Sequence, residues 1–168
     1  MANQILKTAE EIDKAIEMLC EKIMGAYPGE SIDLISLNHA PELFTPDLSK
    51  SLNMDIRLQK LEFENYDNRT ESGEVRIIRD LDQPIFGRDI ILTDGIIISG
   101  ITHYYLCKLL KQRSPRSIAI ASIAAKPSLL KKDLPICYTL FNFDKEMIEG
   151  YGMGTDDFKF SKSLFDIR

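Results

Sequence analysis

Apolar and polar positions along this chain repeat with two periods, and each change of period marks an element. Ile12, Ala15, Ile16, Leu19 and Ile23 recur at helical spacing, which predicts an amphipathic helix. Thr8-Ala9-Glu10-Glu11 stands before them as a capping box, with Thr8 as the cap and Glu11 reaching back to it. Gly25 and Tyr27-Pro28-Gly29 end that helix. Ile32-Asp33-Leu34-Ile35-Ser36-Leu37 is a short, mainly apolar run, as expected of a strand central in a sheet. Asn38-His39-Ala40 connects it to Pro41-Glu42-Leu43-Phe44, where a second helix opens with Pro at its first position. Pro46 makes that helix start later or irregularly, and Leu48 and Leu52 continue its apolar side.

Met54, Ile56 and Leu58 alternate as a strand does, and Leu61 and Phe63 resume in a shifted phase. Residues 64–73 are polar and turn-rich, a long mobile loop of the kind that serves as a lid. The return strand follows at 74–79. From Gly87-Arg88-Asp89 onward the chain is almost wholly apolar to Ile98, which predicts a buried strand. It then turns through Ser99-Gly100-Ile101-Thr102 into a helix over 103–110. A further buried strand covers 117–123, with Lys126 directly after it, and another covers 136–141. Gly150-Tyr151-Gly152-Met153-Gly154 makes a glycine-rich corner before a polar tail.

Strands alternating with helices predict an α/β fold with a mostly parallel central sheet flanked by helices. Such sheets bind ligands beyond the carboxyl ends of their strands, at a topological switch point. Asn38, the stretch from Asp94 to Thr102, Lys126 and the Gly150 corner all follow strands, so one rim can bring them into a single site. The chemistry of that rim is clearest at Ser99-Gly100-Ile101-Thr102. A tight Gly turn with flanking hydroxyls at a helix N-terminus offers backbone amides and a favourable dipole to an anion, a phosphate above all.

Bulk properties narrow the classes. A length of 168 residues points to one domain over 1–168, with a small hood from the N-terminal segment and the C-terminal tail. A net charge of -5 and a pI near 5.1 argue against a sequence-independent nucleic-acid binder, which needs a basic face. Cys20, Cys107 and Cys137 are far apart and set among apolar residues, and read as buried free thiols rather than a disulfide set or a zinc site. No run is long enough to span a bilayer, and a soluble cytoplasmic protein is the expectation.

These motifs, in this order and spacing, resemble the type I phosphoribosyltransferases, specifically the bacterial hypoxanthine (hypoxanthine-guanine) enzymes. Thr8-Ala9-Glu10-Glu11-Ile12 is similar to the family's first helix, and residues 70–82 to its flexible loop and return strand. Gly87-Arg88-Asp89-Ile90 leads into the family's loop for phosphoribosyl diphosphate (PRPP). Ala121-Ser122-Ile123-Ala124-Ala125-Lys126 resembles the strand whose terminal lysine meets the purine's exocyclic oxygen. The resemblance implies displacement of pyrophosphate from C1 of PRPP by a purine nitrogen, with Mg2+ neutralising the phosphates. It also implies a homodimer or homotetramer. PRPP would lie on Asp94, Ser99, Gly100, Ile101 and Thr102, and the purine base or nucleotide on Lys126, Met147 and Ile148. Pyrophosphate would meet Asn38, His39 and Lys159, and metal would meet Asp94 and Asp156.

The chain departs from the family where the chemistry lies. The acidic pair of the PRPP loop becomes Asp94-Gly95, and the aspartate that faces the purine nitrogen becomes Ile98, which exchanges no proton. Related uracil phosphoribosyltransferases also lack that aspartate. Ile96-Ile97-Ile98 is expected to prolong the strand into the core. The Lys-Gly pair of the pyrophosphate loop becomes Asn38-His39, and an unperturbed imidazole is mostly neutral at pH 7. Met147 replaces the stacking aromatic, and Gly154 the late metal-holding acid. His103 is expected at the surface or as a cap. Two functions follow: a purine phosphoribosyltransferase with weak or altered catalysis, or a catalytically inactive nucleotide-binding or regulatory homologue.

Overall fold

The structure, a computed structural model, describes residues 4–38, 40–65, 75–135, 137–144 and 146–167, with backbone alone at 65, 137, 156 and 157. β1 (Gln4–Lys7) leads to α1 (Ala9–Ala26), and the expected cap forms. The Glu11 amide donates to Thr8 Oγ1 at 3.3 Å and the Thr8 amide to Glu11 Oε2 at 2.9 Å. β2 (Ile32–Leu37) has the predicted limits. α2 (Phe44–Ser51) begins late, after a turn at Pro41, with Pro46 in its first turn where no intrahelical donor is needed.

β3 (Ile56–Asn65) and β4 (Val75–Arg79) form an antiparallel pair. In β3 the shifted phase holds, with Leu61 and Phe63 buried as expected, but it begins earlier: Gln59 is buried and Leu58 exposed. The proposed lid segment begins inside β3, and its remainder, Tyr66 included, lies outside the described residues. β5 (Asp89–Ile97) is the strand at the centre of the expected site, and α3 (Ile101–Lys111) follows it, two residues earlier than the periodicity indicates. β6 (Ser117–Ala125) and β7 (Cys137–Asn142) complete a six-stranded sheet in the order β4-β3-β2-β5-β6-β7. Every pairing from β3 to β7 is parallel.

α1 and α2 cover one face, setting Ile12, Ile16, Phe44 and Leu48 against Leu34, Ile91, Ala119 and Ala121. α3 covers the other, with Leu106, Cys107 and Leu110 against Ile35, Ile90, Leu92 and Ile120. Successive residues of β5 therefore feed two cores, which is why its sequence reads as one apolar run. Each fully buried aliphatic side chain contributes about 1.5–3 kcal/mol to this arrangement. Cys20 and Cys107 are buried free thiols, and burial, aided by the Glu17 charge, pushes the Cys20 thiol up to about 11. The side chain of Cys137 lies outside the described residues. Among the described residues no helix is long and apolar enough to cross a membrane.

The amino ends of the strands are closed by ionic clusters. Asp33 is wholly buried and accepts from Arg88 Nη2 at 2.7 Å, from Gln59 Nε2 at 2.9 Å and from Arg57. Asp89 accepts from Ser117 Oγ at 2.6 Å and from Arg116. Buried carboxylates paired and hydrogen-bonded in this way avoid the cost of an unsatisfied buried charge. The polar tail is not featureless: α4 (Asp156–Lys159) and β9 (Leu164–Asp166) form there. β9 lies between β1 and β8 (Ile148–Gly150) in an antiparallel sheet of its own.

Candidate active site

β2 is flanked by β3 on one side and by β5 on the other, so the crossover changes direction between β2 and β5. Parallel packing brings their carboxyl ends to one rim, and a cavity of about 700 Å³ opens there. Asn38 from the end of β2, Asp94 and Ser99 from the end of β5, and Ile148 and Lys159 from the C-terminal segment all border it.

The turn at the head of α3 presents a helix N-terminus to the cavity, a setting that favours an anion. Gly100 caps the helix at φ +71°, and a Cβ there would stand 3.1 Å from Leu134 Cδ1 and 3.2 Å from Leu130 Cδ2. Only glycine combines that left-handed backbone with so close an approach. The Ile101 amide donates to Ser99 Oγ at 3.4 Å and the Tyr104 amide to the Gly100 carbonyl at 2.9 Å. Ser99, Gly100 and Thr102 border the cavity at the positive end of the helix dipole, and Ile101 is half-buried in the same turn.

Asp94 is buried, and both its oxygens are engaged. Oδ1 accepts from the Gly95 amide at 2.7 Å, and Oδ2 is 2.7 Å from His103 Nε2. His103 is thus not a surface or capping residue. It is 6% exposed, on the first turn of α3, and turned back toward the strand. The even positions of β5 before the loop point toward the α3 face, which directs Asp94 to this helix.

Gly95 opens toward the opposite side, where a Cβ would meet Met153 Sδ at 2.9 Å and Pro41 Cδ at 3.3 Å. The space of a second acid is therefore filled from the glycine corner. Of the three isoleucines, Ile97 is buried and ends β5, whereas Ile98 is 49% exposed and borders the cavity. The expected burial of the whole run is corrected at Ile98, which leaves the strand as the chain bends toward Ser99.

Lys126 is half-buried, and its Nζ donates to the Glu146 carbonyl at 2.8 Å, next to Met147. Met147 is exposed, its amide donating to Asp166 Oδ1 at 3.2 Å, while Ile148 is buried in β8. Asn38 is tied to β3: Nδ2 donates to the Phe63 carbonyl at 3.0 Å and the Phe63 amide donates back to Oδ1 at 3.3 Å. Lys159 lies in α4, its Nζ 6.0 Å from the centre of the Phe160 ring. His39 and the side chain of Asp156 lie outside the described residues.

Three ionisable residues on the cavity's border were not expected in the site: His103, Glu42 and Lys60. Lys60 stands opposite Ser36 on the neighbouring strand and pairs with Glu62 at 2.8 Å. Its signal was its place one residue from the inward phase of β3.

The donor set at Asp94 does not fit a resident magnesium ion. Magnesium demands near-ideal octahedral oxygen ligation. Here the one carboxylate carries an N–H on each oxygen, and positions 95 and 154 are glycines. Among the described residues no group of three or more His, Cys, Asp or Glu could hold a metal ion.

A phosphoribosyl transferase domain model matches residues 1–155. The hypoxanthine-guanine phosphoribosyltransferase of Bacillus subtilis is 32% identical over 89% of this chain and 84% of its own length. That of Mycobacterium tuberculosis is 31% identical over 91% of this chain and 79% of its own. A crystal structure of a hypoxanthine-guanine phosphoribosyltransferase from Bacillus anthracis, with a HEPES molecule in its active site, superposes with a TM-score of 0.92 at 25% identity. The superposition covers 98% of both chains. In fold, in the sequence of its elements and in its relatives, the chain belongs to the phosphoribosyltransferase family, among proteins of the hypoxanthine-guanine type.

Proposed function

We propose that this cavity binds PRPP or a purine 5′-nucleotide and transfers the phosphoribosyl group to hypoxanthine or guanine slowly. The observation that carries this reading is the Gly100 turn at the head of α3, which opens on the same cavity as Asp94. It supports a 5′-phosphate seat, and Asp94 supports contact with the ribose hydroxyls. Ile148 on the cavity wall, next to Met147 and to the Glu146 carbonyl that holds Lys126, supports a base-binding side, and Lys159 and Lys60 offer positive charge on the pyrophosphate side. The three-stranded sheet β1-β9-β8 serves as the hood over the base.

In this reading a purine nitrogen attacks C1 of PRPP, a C–N bond forms, and pyrophosphate leaves with the C–O electron pair. The purine proton passes to water, because Ile98 offers no acceptor. Magnesium enters on the pyrophosphate of PRPP, as part of the substrate, and not on Asp94. General acid–base help contributes typically 10²–10⁴-fold, so its loss predicts a low rate.

The test is formation of IMP or GMP from PRPP supplied as its magnesium complex, beside calorimetry with the same nucleotides. The expected kcat is at least about a hundredfold below an ordinary 10 s⁻¹. A rate near that ordinary value would overturn slow transfer, and no binding of any nucleotide at millimolar levels would overturn the site itself. A second reading, binding without turnover, is favoured by the engagement of both Asp94 oxygens. Binding with no product over days would select it.

A further inference from the structure

The Asp94–His103 pair bears on how the cavity manages charge. Both residues border the cavity, and their side chains are 9% and 8% exposed. An ionised carboxylate only accepts, so the 2.7 Å contact of Asp94 Oδ2 takes its proton from His103 Nε2. In the neutral ring this leaves Nδ1 as the acceptor, and in the charged ring both nitrogens donate. A cation on Asp94 Oδ2 would take the remaining lone pair and crowd that N–H, with the Gly95 amide on the other oxygen and, among the described residues, no group of three or more His, Cys, Asp or Glu to complete its shell. Each oxygen keeps a second lone pair, enough to accept from a ribose hydroxyl. His103 is also the third residue of α3, beside the turn proposed to seat the phosphate.

We propose that His103 takes the position of a divalent cation at Asp94, so that this chain binds its phosphorylated ligand with no metal on that acid. The inference rests on the nucleotide reading of the cavity and adds the mode of charge compensation within it. His103 is a positioning residue in this scheme: it fixes the Asp94 carboxylate for hydroxyl contacts and excludes the ion that would otherwise fix it.

Calorimetry of GMP and IMP on the whole chain, in excess magnesium and in EDTA, measures the ligand side. Manganese titration of the ligand-free protein, followed by water-proton relaxation, measures the metal side. The wild type is expected to bind nucleotide within about threefold of the same affinity in both buffers. His103→Leu is expected to lose about tenfold or more in EDTA, to recover it with magnesium, and to gain a manganese site. His103→Gln, which keeps an N–H for Asp94, is expected to behave as the wild type. It also guards against a leucine variant that fails to fold.

A wild type that loses tenfold on chelation, or one that binds manganese as well as His103→Leu does, would overturn the proposal. A leucine variant that folds and is indifferent to metal would do the same. If no nucleotide binds to any of these proteins in either buffer, the nucleotide reading fails by itself. The manganese titration of the ligand-free proteins still decides the role of His103.

Discussion

Gly154 and Glu149 share one space: a Cβ on Gly154 would stand 2.4 Å from Glu149 Cγ and 2.5 Å from its Cδ. Glu149 is buried, and its Oε2 accepts from Thr155 Oγ1 at 2.8 Å. A carboxylate at 154 therefore cannot be restored alone. Gly154→Asp is expected to destabilise the fold by about 1–3 kcal/mol through overpacking, beyond the cost of a side chain at φ +86°. Thermal unfolding checks this. Glu149→Ala combined with Gly154→Asp removes Cγ and Cδ but leaves the Cβ of residue 149 at 2.8 Å and the strained backbone, so it should recover part of the lost Tm, and a double variant no more stable than Gly154→Asp would refute the shared-space account.

Ile98 is the most accessible place to return a proton acceptor. It is half exposed at the cavity wall, so Ile98→Asp should change stability by no more than about 0.5 kcal/mol. The rate of IMP formation is expected to rise about tenfold or more, within the range that a placed base supplies. An unchanged rate, in a variant with unchanged Tm, would show that Ile98 is not what limits transfer.

Gly100 should tolerate no side chain. Gly100→Ala sets a methyl group against Leu130 and Leu134 and holds alanine at φ +71°. The left-handed backbone alone costs about 1–2 kcal/mol. The expected result is a lower Tm together with, if the turn seats the phosphate as proposed, weaker binding of GMP by calorimetry. Full retention of GMP affinity would separate the nucleotide from this turn.

Acid stability should depend on the strand starts. The Arg116 guanidinium holds the Asp89 carboxyl below the usual carboxylate range, burial opposes it and the Ser117 hydroxyl assists. Arg113 does the same for Asp80, again against a desolvation cost. A depressed folded-state pKa contributes stability that is complete above the unfolded value of about 3.9 and is lost as pH falls through the folded value. Tm should therefore fall as pH drops below about 4. Arg116→Leu should lower Tm at neutral pH and make that acid decline shallower. A parallel decline in both proteins would remove Asp89 from the account.

Much of the fold is legible in the sequence where one local signal decides it. The Thr8 cap and the limits of β2 follow from side-chain chemistry and two-sided burial within a few residues. The Gly100 turn is visible for the same reason, as the one residue able to cap α3 in that backbone. His103 was hidden because a histidine at a helix start reads as solvated. Its partner lies nine residues earlier, and only the face of β5 reveals the contact. The phase of β3 was hidden by Gln59, a polar residue turned inward to bond Asp33, which makes Leu58 rather than Gln59 the exposed one. β9 is three residues long, too short for periodicity to register.

The pairing of β1 with β9 has a temporal consequence. Gln4 lies opposite Asp166, so β1 finds its neighbour only after the elements between them have been made. Asp166 in turn receives the Met147 amide, and the Ile167 amide donates to the Met147 carbonyl. A nascent chain can thus complete its central sheet and the Gly100 turn while the wall of the cavity around Ile148 is still unbuilt. Protein lacking the last few residues should still form its central sheet but unfold at a lower temperature, because Leu164 is lost from the core, and under the proposed function it should discriminate poorly among purines.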